Sequence, residues 1–122
     1  MKIAIDIDGT ITENPHFFSK LSQLWDDDIF VITYRDIKDR KRTIDELKSL
    51  GIKYTKLFFV SSFEQKAEIV EEHGVSLFFD DMPEMLKSVP ENVSVCLFRN
   101  DGNFDFEDQR WMFSKQTAKI LF

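Results

Sequence analysis

Apolar residues along this chain gather into five short runs, at 3–5, 28–33, 57–60, 75–79 and 93–98. Each is too short for a helix and nearly continuous, the pattern of a strand buried on both faces. Between the runs lie segments in which apolar residues recur at helical spacing, over 17–25, 36–50, 64–73 and 82–87. Gly51 and Gly74 stand just past two of these as helix stops. Strand and helix in strict alternation predict a parallel sheet with right-handed crossovers, covered on both sides. The expected fold is therefore α/β, a three-layer, Rossmann-like arrangement on a five-stranded parallel sheet, with 1–122 as one domain. The last segment, 106–120, reads as a further helix that packs Trp111, Phe113 and Ile120 against the body. No repeat or low-complexity tract interrupts the chain.

The polar residues matter because of where the strands end. The first run passes directly into Asp6-Ile7-Asp8-Gly9-Thr10, the second ends in Thr33, the third leads through Ser61-Ser62 into a helix carrying Lys66, and the fourth ends in Asp80-Asp81. Open α/β sheets bind ligands at the carboxyl ends of their strands, so these groups converge on one edge. Residues two apart in a strand point the same way, yet Gly9 lets the chain turn after Asp8, so Asp6 and Asp8 can take different roles. One carboxylate can attack phosphorus while the other handles protons. A phosphate dianion resists attack unless a divalent cation masks its charge, and hard oxygen ligands favour Mg²⁺. A calcium loop is excluded, because that register puts Ile11 at the obligatory glycine and Phe17 at the bidentate glutamate.

In order and in the elements that carry them, Asp6-Ile7-Asp8-Gly9-Thr10, Thr33, Lys66 and Asp80-Asp81 resemble the four signatures of the haloacid dehalogenase superfamily of aspartate-nucleophile phosphohydrolases. The resemblance implies Asp6 as nucleophile and metal ligand. Asp8 would be the acid for the leaving oxygen and then the base for water, with its backbone carbonyl on the metal. Thr33 would hold a phosphoryl oxygen, and Lys66 would neutralise that oxygen and Asp6. The Mg²⁺ site would draw on Asp6, Asp8, Asp80 and Asp81, with Asp81 favoured over Asp80 as the direct ligand. Asp8 itself sets the chain apart from superfamily dehalogenases, which lack an acid there, and from transport ATPases, which carry a threonine. The string Phe78-Phe79-Asp80-Asp81-Met82-Pro83 resembles both the deoxyribonucleotidase branch and small capless Mg²⁺-dependent phosphatases. Zinc-loop relatives are excluded because a single cysteine cannot form their cluster.

Charge narrows the substrate. A net charge of −6 with a pI near 4.9 leaves no basic stripe for a phosphate backbone, so general nucleic-acid binding is not expected and a small phosphorylated substrate, such as a nucleotide, fits better. Cys96, within the fifth run, reads as a buried strand thiol. With no leader-like start and no apolar run of membrane length, a cytoplasmic protein is expected.

The cap domain that superfamily relatives usually insert after the first motif or between the second and third has no room here. An open site must find its walls elsewhere. Gly9 and Thr10 within the first motif, and Tyr34 and Arg35 beyond Thr33, are the candidates to contact substrate, with Arg35 suited to clamp a phosphate or carboxylate unless it pairs with Asp36 or Asp39. The segment through His16, Phe17 and Phe18 offers an aromatic wall, or else His16 and Phe17 form a helix entrance that packs its own core, and Arg99 and Asn100 end the fifth run. A monomer or weak homo-oligomer is expected. The competing readings are a phosphatase for phosphoproteins or polynucleotide ends, and a non-catalytic metal-binding module of the same fold.

Overall fold

The structure, a computed structural model, describes residues 1–112. Strand β1 (Lys2–Ile5) leads through a wide turn into α1 (Pro15–Leu24), then β2 (Ile29–Thr33), a single 3-10 turn (Ile37–Asp39), α2 (Arg40–Ser49) and β3 (Lys56–Phe59). Helix α3 (Phe63–Glu72), β4 (Val75–Asp80), α4 (Met85–Ser88) and β5 (Ser94–Leu97) follow, and a short antiparallel hairpin, β6 (Phe104–Asp105) with β7 (Arg110–Trp111), ends the described chain. The five main strands form one sheet in the order β3-β2-β1-β4-β5, and every pairing in it is parallel. This is the Rossmann-like α/β arrangement expected, with no separate cap among the described residues.

Alternation along the strands builds two cores. Ile3, Ile5, Ile29, Val31 and Phe79 face one side, with Phe18 of α1 and Leu47 of α2. Ala4, Phe30, Ile32 and Phe78 face the other, with Ala67 and Val70 of α3 and Met85 of α4. Because β1 and β2 are central, all of Ile3, Ala4, Ile5, Val31 and Ile32 lose contact with solvent, which is why the middle of each run is apolar on both faces. Local signals set the helix starts: Pro15 occupies the first turn of α1, and the Ser62 hydroxyl accepts from Gln65 N–H to cap α3.

Three expectations are corrected. The segment 36–50 is not one helix: the Asp36 carboxylate accepts from Lys38 N–H at 3.0 Å, which favours a tight turn, and α2 begins only at Arg40. Cys96 is exposed rather than buried, because β5 is the edge strand and its exposure alternates along Ser94, Val95, Cys96 and Leu97. The stretch from Phe106 to Trp111 is not helical. The Asp105 carboxylate accepts from Glu107 and Asp108 N–H, which tightens a hairpin turn, and Gln109 adopts φ 56° within it. Trp111 does pack, edge-on against Phe104 at 5.1 Å, whereas Phe113 and Ile120 lie outside the described residues. Among the described residues no helix is long and apolar enough to cross a membrane.

Candidate active site

The sheet order places β2 on one side of β1 and β4 on the other, so the chain reverses its direction of growth between β1 and β4. A crevice opens at the carboxyl ends of such a strand pair. Register then decides what fills it: Ile5 sits opposite Phe79, and Asp6 N–H donates to the Phe79 carbonyl at 2.9 Å. Asp6 and Asp80, the next residues on the two strands, therefore stand side by side.

Between them comes Lys66. It lies in the first turns of α3, whose capped start aims the side chain under the sheet edge, and its Nζ donates to Asp6 Oδ1 and to Asp80 Oδ2, each at 2.9 Å. Lys66 and Asp80 are fully buried and Asp6 nearly so. The ammonium also lies over the Tyr34 ring at 5.0 Å and near the Phe78 ring at 5.6 Å. Burial opposes its charge, but the adjoining carboxylates of Asp6 and Asp80 outweigh burial and hold Lys66 above its ordinary value.

Asp81 completes an acidic triad: one oxygen each from Asp6, Asp80 and Asp81 lies within 4.8 Å of the others. Against three carboxylates stands one ammonium. Burial, then the Asp80 charge, raises Asp6 well above the carboxylate range despite the pull of Lys66. The same two causes push Asp81 up to about 6. Asp80 uses both oxygens within the protein, since Oδ1 accepts from the N–H groups of Asp81 and Met82 at 2.7 and 2.9 Å while Oδ2 takes Lys66. Asp81 differs, for its Oδ1 is buried with no hydrogen-bond partner among the described residues. Crowded hard oxygens and an orphaned buried carboxylate oxygen are what a divalent cation such as Mg²⁺ fits.

The first motif turns tightly around this triad. Asp8 (φ −72°, ψ 122°) and Gly9 (φ 86°, ψ −8°) have the dihedrals of a type II turn, which demands a positive φ at its third residue. A side chain at Gly9 is excluded twice over, since a Cβ there would lie 2.0 Å from Asp81 Oδ2. Thr10, fully buried, donates its hydroxyl to Asp6 Oδ2 at 3.3 Å, so it braces Asp6 rather than facing solvent.

The turn also separates Asp8 from the triad. Its carboxylate stands outside the cluster of three and accepts both arms of Arg35, Nε to Oδ2 at 2.9 Å and Nη2 to Oδ1 at 2.8 Å. Arg35 pairs with neither Asp36 nor Asp39. Its Nη1 reaches back to Glu46 Oε2 at 2.5 Å and to Thr43 Oγ1 at 3.4 Å, both on α2. These hydrogen bonds, that with Asp8 foremost, raise the guanidinium above its ordinary value against the opposing effect of burial.

Thr33, at the end of β2, is buried and accepts from Arg35 N–H at 3.2 Å. The Tyr34 hydroxyl is buried without a hydrogen-bond partner among the described residues, and burial raises its phenol. Of the expected aromatic wall, Phe17 is half exposed and touches the Phe18, Phe79 and Phe98 rings, whereas Phe18 belongs to the core and cannot line the mouth. His16 is exposed. Asn100 donates to the Gly9 carbonyl at 3.2 Å and to Asp81 Oδ2 at 3.4 Å. Asn103, buried and absent from the sequence expectations, donates to the carbonyls of Asp81 and Phe98. The loop after β5 thus fixes the acid pair after β4. Arg99 instead lies over the Phe104 and Phe106 rings, 4.9 Å from each centroid.

Comparison of the chain with protein-family models, with curated proteins and with solved structures returns no match.

Proposed function

We propose that the protein is a Mg²⁺-dependent phosphomonoester hydrolase of the haloacid dehalogenase type, working through an aspartyl-phosphate on Asp6. The observation that carries this reading is the buried Lys66 bridging Asp6 and Asp80 beside Asp81 and its unpartnered oxygen. A fully buried ammonium shared by two carboxylates is poor economy for stability alone, since apolar side chains of similar volume do as well. It suits a site that must gather negative charge.

In the proposed chemistry an Asp6 oxygen attacks phosphorus, and the bond from phosphorus to the leaving oxygen breaks. Asp8 gives that oxygen its proton. Asp8 then takes a proton from water, which attacks phosphorus and expels Asp6 as free carboxylate. Lys66 remains the fixed positive charge beside Asp6, and the Thr33 hydroxyl and the main chain near Gly9 meet the phosphoryl oxygens. Asp6, Asp81 and the Asp8 carbonyl would hold Mg²⁺, with Asp80 orienting Lys66. When bound, the ion supplies the charge that masks the phosphate dianion. Asp8 must leave Arg35 to take its part, and its exposure at the rim permits this.

The test is hydrolysis of p-nitrophenyl phosphate with Mg²⁺ and with chelator, by the wild type and by Asp6→Asn. Removing the nucleophile should lower turnover by about a thousandfold or more, with the circular dichroism of the fold unchanged. Activity that is indifferent to chelator, or that persists in a folded Asp6→Asn protein, would refute the covalent scheme.

A further inference from the structure

Arg35 and Asp8 form the most complete ion pair at the rim, and they are unequal partners. Arg35 has a side chain only 13% exposed and is anchored from behind by Glu46 and Thr43 of α2. Asp8 is 63% exposed and among the described residues is held by the guanidinium, both of its oxygens being occupied by Nε and Nη2. A carboxylate with both oxygens on a guanidinium fork cannot also reach a leaving oxygen. The same fork accepts any carboxylate or phosphate oxygen pair of like geometry. It opens on a recess of about 560 Å³ lined by Asp8, Arg35, Arg42 and Glu46. Arg42, whose own partner Asp39 is 3.5 Å away at the surface, adds a second, loosely held cation.

We propose that Arg35 is the receptor for a second anionic group on the substrate, a carboxylate or phosphate on the leaving group, which replaces Asp8 on the fork and so frees Asp8. The inference rests on the hydrolase reading for the role of the freed Asp8, but not for the anion site. The exchange balances charge: Arg35 keeps Glu46 and one anion throughout, while Asp8 moves into solvent from a position already mostly solvated. The two charge-assisted hydrogen bonds that Asp8 gives up are made again by the incoming anion. A substrate already held by its phosphate at Asp6 presents its second anion at high effective concentration. A simple ester with a neutral leaving group lacks that competitor, so Asp8 stays on the fork for more of the time. Arg35 is thereby a specificity-determining residue, and Glu46 positions it.

The experiment compares inert and reactive ligand pairs on the full-length protein with Mg²⁺ present. Calorimetry with 3-phosphonobenzoate and phenylphosphonate reads binding without turnover. The wild type should bind the carboxylated ligand about tenfold tighter, and Arg35→Met should bind the two alike. In turnover, 3-carboxyphenyl phosphate and 1,3-phenylene bisphosphate should exceed phenyl phosphate in kcat/KM by about tenfold, their ratio telling carboxylate from phosphate preference. Arg35→Met should lose this advantage, so that kcat/KM no longer distinguishes the anionic esters from phenyl phosphate. Arg35→Lys, which keeps the charge without the fork, should show an intermediate preference and serves where the methionine variant does not fold. Equal affinity of the wild type for the two phosphonates overturns the proposal, as does a preference that survives Arg35→Met. If no ester is hydrolysed while the phosphonate discrimination persists, the anion site stands and the hydrolase reading falls.

Discussion

Asp81→Asn should stabilise the protein in chelator and lose that advantage in Mg²⁺. The change is nearly isosteric, leaves an acceptor for Asn100, and removes one of three crowded carboxylates. Burial and the Asp80 charge push Asp81 from the usual 3.8 to about 6, so its ionisation opposes folding. At about 1.4 kcal/mol per unit, this gap sets a ceiling of about 3 kcal/mol on the cost at neutral pH. Asp81 is only half-buried and shares its protons with Asp6, so screening brings the expected gain to about 1–2 kcal/mol. The direction with pH follows from the raised value. Below about pH 4 both folded and unfolded Asp81 are neutral and the cost is absent. Between about pH 4 and 6 the unfolded chain ionises first and stability falls, and above about 6 the loss is complete. Asp6, raised by the same causes, shifts the wild type in the same sense.

The assay is urea unfolding followed by circular dichroism at pH 4 and 7.5, in chelator and in Mg²⁺. In chelator at pH 7.5 Asp81→Asn should unfold at higher urea than the wild type, and the two should approach each other at pH 4. Mg²⁺ at a hundred times its dissociation constant should then raise the wild type by about 2.7 kcal/mol and the variant by much less, reversing the order. An Asp81→Asn protein less stable than the wild type in chelator at pH 7.5 would show that the triad is not electrostatically frustrated, and the argument for a cation would fail with it.

Lys66→Met strands Asp6 and Asp80 without their shared ammonium and should destabilise the protein by about 3–5 kcal/mol at pH 7.5; an unchanged urea midpoint contradicts the assigned bridge. Gly9→Ala must adopt a positive φ and displace Asp81, so a loss of about 1–3 kcal/mol together with a weakened response of the thermal midpoint to Mg²⁺ is expected; a wild-type response means that the turn does not pack on the acid pair. Asp8→Asn should slow both formation and breakdown of a phosphoenzyme by about a hundredfold or more, as one group serves as acid and then base; rapid-quench kinetics that show only one step slowed would separate the roles.

The elements whose residues are uniformly apolar were the legible ones. Runs such as Ile29-Phe30-Val31-Ile32 admit little besides a buried strand, and with the strands located, parallel topology brings Asp6 and Asp80 to one edge. Lys66 was readable only through its place in the order of motifs, because Glu64-Gln65-Lys66-Ala67-Glu68 alone passes for a solvated helix face. Composition concealed the rest for separate reasons. An edge strand and a central strand can share one apolar pattern, so the exposure of Cys96 depended on sheet order. Asp105 reversed the chain by local hydrogen bonds that compete with helix formation in a segment otherwise rich in aromatic residues. Asn103 and Glu46 act through contacts 22 residues away on Asp81 and 11 residues away on Arg35, and polar residues in a loop or on a helix face carry no mark of such partners.

The two acids of the first motif end in opposite environments, and this contrast bears on the proposed reaction. Asp6 is nearly buried and is held between Lys66 and Thr10, where a fixed ammonium acts through a low dielectric. Asp8, two residues on, stands in solvent because the Asp8-Gly9 turn carries it out of the crevice. A cap over this rim would dry both acids. Among the described residues no cap covers this rim, so on the proposed reading Asp6 acts from a desolvated setting while Asp8 works at a wet boundary.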